Sequence, residues 1–70
     1  MTGHEWIAEF AAALGVPPPG EKEFETILEL ASAAAHGSER LAAPMACWLA
    51  AAAGRSPEEA VAAARGIGAS

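Results

Sequence analysis

The densest chemistry in the sequence lies at His36-Gly37-Ser38-Glu39-Arg40, followed by Pro44. It sets an imidazole, a hydroxyl, a carboxylate and a guanidinium beside one glycine. If Gly37 turns the chain, His36, Arg40 and the amides near Ser38 and Glu39 can converge on a single anion. A phosphate or carboxylate suits such a place, because amides at a helix N-terminus and the arginine fork both bind oxyanions. Each residue also has an ordinary structural job. His36 at a helix end favours the dipole, Gly37 terminates in a left-handed conformation, Ser38 caps the next helix, and Arg40 pairs with Glu39 or Glu29. Trp48 has two readings as well: core packing on an apolar helix side, or the lining of a pocket or interface near Arg40. Binding of a ligand or partner by His36, Ser38, Glu39, Arg40, Pro44 and Trp48 is one expectation. A purely structural junction is the other.

Other chemistries have less to draw on. His4, His36 and Cys47 stand at no ligand spacing such as HxxxH or CxxC, so neither a metal nor a cofactor is expected. Cys47 reads as a small helix residue rather than a nucleophile, since nothing in the sequence pairs it with a base. Glu21, Glu23, Glu25 and Glu29 read as a solvated helix face, and Glu58 and Glu59 as charges at a helix start. With no nucleophile–base pair and no metal constellation, the expectation is a protein that is not an enzyme.

Four helical stretches must position these groups. The first opens with a capping box, Thr2-Gly3-His4-Glu5, and carries Trp6, Ile7, Phe10 and Leu14 on one side. Gly15 ends it, and Pro17-Pro18-Pro19-Gly20 forms a stiff connector. The second runs from about Glu21 to Ala35, with Phe24, Ile27, Leu28, Ala31 and Ala35 as its apolar stripe. The third is read as a short turn over Ser38–Ala42 and a main helix from Pro44 to Ala53, with Leu41, Met45, Trp48, Leu49 and Ala52 buried. Pro44 either occupies the first turn or kinks a longer helix. The fourth starts at the Ser56 cap and Pro57, and its apolar side is thin: Val61, Ala64 and Ile67. Gly66 and Gly68 predict that it frays.

Length and composition bound the rest. Seventy residues hold one domain, residues 1–70, and twenty alanines leave only about fifteen larger apolar side chains for a core. Alanine permits close approach of short helices, so an all-α, compact bundle of four short helices is expected. Its thin fourth helix makes a homodimer plausible. Nine acidic residues against four basic, a net charge of −5, argue against nucleic acid or an anionic membrane as partner. One cysteine rules out an internal disulfide. No apolar run is long enough to span a bilayer, and the first residues lack a signal-peptide pattern, so the expected location is cytoplasmic.

The segment Ala35-His36-Gly37-Ser38-Glu39-Arg40-Leu41-Ala42-Ala43-Pro44 resembles the AHG-x-ER-x-AAP signature of a small actinobacterial domain family of unknown function. The opening W-I-A-E-F-A-A-A-L-G helix, the acidic helix before the signature and Ala52-Ala53-Gly54-Arg55 are similar too, so the resemblance covers most of the chain. Members of that family look like stand-alone short proteins or tails of molybdenum cofactor guanylyltransferase-like nucleotidyltransferases. The resemblance therefore implies an accessory role in molybdenum cofactor maturation or delivery, with such a nucleotidyltransferase as partner protein. Its signature residues here are His36, Gly37, Glu39, Arg40, Ala43 and Pro44. Leu41 stands where the family pattern has proline, which leaves the junction less rigid. The chain has no glycine-rich phosphate loop, basic clamp or aspartate pair, so it cannot be the nucleotidyltransferase itself.

Overall fold

The computed structural model describes residues 1–68. Its helices, in chain order, are α1 (Gly3–Leu14), α2 (Glu21–Gly37), α3 (Ala42–Ala52) and α4 (Pro57–Gly66), and there is no strand among the described residues. The all-α, four-helix expectation holds.

The helix starts follow from local chemistry. Thr2 donates its amide to Glu5 Oε1 at 2.7 Å, and its hydroxyl oxygen accepts the Glu5 amide at 3.1 Å. Ser56 and Glu59 repeat the reciprocal pair at 3.0 and 3.2 Å, with Pro57 just inside the helix. Each pair satisfies two amides that the first turn would otherwise leave without partners. At α2 only half of this device exists. The Gly20 amide donates to Glu23 Oε1 at 2.9 Å, but glycine has no side chain to return the bond. These bonds also act on the carboxyls. The Thr2 amide, then its hydroxyl, hold Glu5 below the usual carboxylate range, and the Ser56 amide and hydroxyl, with Arg55, do the same to Glu59.

Two helix ends use left-handed glycines. Gly15 closes α1 at φ 76° and Gly54 follows α3 at φ 70°, conformations that a Cβ would strain. Gly37 is not one of them. It is the last residue of α2, and the chain leaves through Ser38 at φ −148°, ψ −95°.

α2 is the axis of the fold, and α3 and α4 both pack against it. The core cluster joins Leu30 of α2 to Ala60 and Val61 of α4, with Ala46, Cys47, Ala50 and Ala64 half-buried around it. Leu30 is only 4% exposed, whereas Leu28, expected on the buried stripe, is 57% exposed. The sequence reading missed Leu30. Glu29 immediately before it belongs to the polar flank and masks the helical phase that singles Leu30 out. Arg65 of α4 also donates to Glu29 of α2 at 2.9 Å, an exposed pair that adds little stability.

α1 is attached more lightly. His4 stacks on Phe24 with ring centroids 4.1 Å apart, and Ile7, Phe24, Ile27, Leu28 and Pro19 surround a cavity of about 320 Å³ between α1 and α2. Ala11 is buried, while Trp6, Phe10 and Leu14 are exposed, with Trp6 and Phe10 stacked on each other at 5.1 Å. The first stripe thus faces water over most of its length.

Candidate functional site

The junction between α2 and α3 is the place where the sequence concentrates its chemistry. It does not form the expected anion cradle. The Ser38 hydroxyl donates back to the Ala34 carbonyl at 2.9 Å, so it closes α2 rather than capping α3. Leu41 is the N-cap of α3 and offers no side-chain bond. Ala42 and Ala43 donate their amides to the Glu39 and Arg40 carbonyls at 3.0 and 3.2 Å, which spends two of the free amides of the α3 start inside a tight turn. Without a left-handed Gly37, nothing folds His36 back toward Arg40.

The side chains confirm the dispersal. His36, Ser38, Glu39 and Arg40 are all exposed, and His36 Nδ1 lies 3.3 Å from Ser32 Oγ one turn earlier on α2. Arg40 pairs with no acidic side chain among the described residues: of its two expected partners, Glu29 is held by Arg65 and Glu39 makes no ion pair. Pro44 occupies the third position of α3, so of the two expectations it is the first-turn placement that holds: its missing N–H is one of the amides that lack an intrahelical partner anyway, and the helix is not kinked there. Helix α3 consequently runs Ala42–Ala52 instead of Pro44–Ala53.

The larger departure is the orientation of α3. Its expected buried side is its outer face: Leu41, Met45 and Leu49 are exposed, and Trp48 is 69% exposed. The inner side is built from Ala46, Cys47 and Ala50, which pack against the core cluster. The physical reason is the absence of any polar side. α3 carries no charged residue, so no polar face competes for water, and the small residues are turned inward, where they let α3 approach α2 closely. Burial pushes the Cys47 thiol above its ordinary value, away from the thiolate needed of a nucleophile. Trp48 is neither a core residue nor in contact with Arg40's cluster through any observed bond.

Two shallow apolar grooves flank this face. One, of about 400 Å³, runs from Gly37 and Ser38 past Leu41 and Met45 to Ile67 at the end of α4. The other, of about 470 Å³, lies between Leu49 of α3 and Ala60, Ala63 and Ala64 of α4. Together with Leu41, Met45, Trp48 and Leu49 they make an apolar surface around the outer half of α3. Gly37, Ser38 and Leu41 are the junction residues that touch it. Among the described residues no group of His, Cys, Asp and Glu is placed to hold a metal ion, and no helix is long and apolar enough to cross a membrane.

No curated protein and no solved structure matches this chain. A family model does match it across residues 1–69, nearly its full length and including the α2–α3 junction and all four helices, so the chain belongs to the family described as Domain of unknown function (DUF6457).

Proposed function

We propose that the chain is a non-catalytic protein-interaction module that works through apolar helix faces rather than through a ligand pocket. One observation carries this reading. The accessible surface is 5349 Å², against about 4,000 Å² expected of a folded monomer of this mass. The excess has an identifiable source. Among the described residues the buried hydrophobics are Ala11, Leu30, Ala60 and Val61, while Trp6, Phe10, Leu14, Leu41, Met45, Trp48, Leu49 and Ile67 lie open. Exposed apolar surface on this scale marks contact sites with other macromolecules.

The setting we propose for the module is molybdenum cofactor maturation or delivery, beside a nucleotidyltransferase as partner protein. This rests on the resemblance of the Ala35–Pro44 segment and its surroundings. A net charge of −5 and the lack of a basic patch disfavour nucleic acid as partner. Arg40, exposed and in no ion pair among the described residues, is the junction residue best able to grip an acidic group of the partner at the edge of the apolar surface.

The test is a titration of the purified nucleotidyltransferase with the chain, followed by isothermal calorimetry. Saturable binding with a negative heat-capacity change, weakened by Trp6→Glu or Trp48→Glu, supports the reading. Absence of binding to the nucleotidyltransferase sinks the proposed setting. Unaltered binding in both variants sinks the role of the apolar faces.

A further inference from the structure

The outer face of α3 has features that narrow its occupant. Leu41, Met45, Trp48 and Ala52 recur at spacings of four, three and four, the interval of a seam that meets another helix. All four are exposed. α3 is also the one helix without a charged residue, whereas α1, α2 and α4 each carry glutamates on their exposed sides.

From these features we propose that the α3 face is the contact between two copies of this chain, the two α3 helices lying antiparallel about a two-fold axis. The inference rests on the docking reading above and names the occupant of that surface. Charge favours a second copy there. Each chain carries −5, so contact through α1, α2 or α4 would set carboxylates opposite carboxylates, and contact through α3 does not. A two-fold contact also requires a self-complementary surface. In the antiparallel register centred between Met45 and Trp48, Leu41 of one copy meets Ala52 of the other and Met45 meets Trp48. Large side chains thereby face small or flexible ones.

The area is sufficient. Leu41, Met45, Trp48, Leu49 and Ile67 leave roughly 700 Å² open per copy, close to the about 800 Å² that each partner contributes to a standard interface.

Sedimentation equilibrium of the full chain, over a roughly hundredfold concentration range, tests the proposal. The expected result is a species of twice the 7.0 kDa chain mass. Trp48→Glu should weaken it by about thirtyfold or more, the scale of an interface hot spot, with helical circular dichroism retained. Ala52→Glu, at an exposed position that the fold does not use, should weaken it as well, and Trp6→Glu on α1 should leave it intact. A dimer unaffected by Trp48→Glu and Ala52→Glu overturns the proposal. So does a monomer at every concentration. If that monomer binds the apolar dye anilinonaphthalene sulfonate and loses it in Trp48→Glu, only the second copy is refuted. If it binds no dye, the docking reading fails too.

Discussion

α3 and α4 stand on the same axis helix and make opposite use of apolar residues. α4 is poor in them, yet it buries Val61 and Ala60 against Leu30. α3 carries Met45, Trp48 and Leu49, and it buries none of them. The difference lies in the other face. α4 has Glu58, Glu59 and Arg65 to hold one side in water and a reciprocal cap at Ser56 to fix its start. α3 has no polar side and no side-chain cap, so its rotation is decided by which side packs closest to α2, and the alanine side does. Apolar content tells how much a helix can bury. Only the contrast between its two sides tells where.

That contrast can be broken from either end. The largest effect is expected in the α2–α4 seam. Leu30→Ala should cost about 2–4 kcal/mol, enough to unfold much of so small a domain, while Leu28→Ala two residues away should cost under about 1 kcal/mol. Urea denaturation of the two variants gives the comparison, and equal losses would mean the seam is misassigned.

Removing the α4 cap is next. Ser56→Ala should lower stability by about 1 kcal/mol in the same assay, because the Glu59 amide loses its partner. Ser38→Ala, whose hydroxyl only returns to the Ala34 carbonyl, should cost less.

The caps also carry a pH signature. Glu5 and Glu59 have folded-state values below the ordinary 4.5, so their stabilisation is complete above that value. It is lost as pH falls through the lower folded values. Thermal melts of Glu59→Gln against the parent chain should differ most at neutral pH and converge in acid. A gap that persists in acid would show that the charge is not the source.

At the junction, His36→Ala and Arg40→Ala should each change the stability of one copy by no more than about 0.5 kcal/mol, since both side chains are exposed. A loss of about 1 kcal/mol or more, measured in dilute solution, would restore them as structural parts. The smallest effect concerns Cys47. Its half-buried place on the inner side of α3 should make alkylation at mildly alkaline pH slower than in the urea-unfolded chain. Equal rates would place the thiol on the outer face.

Helix number, order and most boundaries were legible because the punctuation is local. The Thr2–Glu5 and Ser56–Glu59 boxes, the left-handed Gly15 and Gly54, and the proline run each act within a few residues. The inner faces were less legible. Leu30 follows directly on Glu29, which obscures its phase, and the seam at Leu41, Met45, Trp48 and Ala52 is visible as a spacing that does not reveal whether it turns inward. The outcome depends on α2, a tertiary partner that the spacing does not contain. At the site, residue types at His36–Arg40 suggested convergence, but convergence required a backbone turn at Gly37. The bond from Ser38 to Ala34 directs the chain elsewhere.

The emission of Trp48 tests the central claim most directly, read in a Trp6→Phe variant that leaves it as the single tryptophan. At the lowest concentrations, where one copy stands alone, Trp48 should emit as a water-exposed indole and be quenched freely by acrylamide. It should shift to the blue and become protected as concentration rises. A blue, protected Trp48 in a demonstrated monomer would contradict the account, because it would place inside the fold the face that is here assigned to contact.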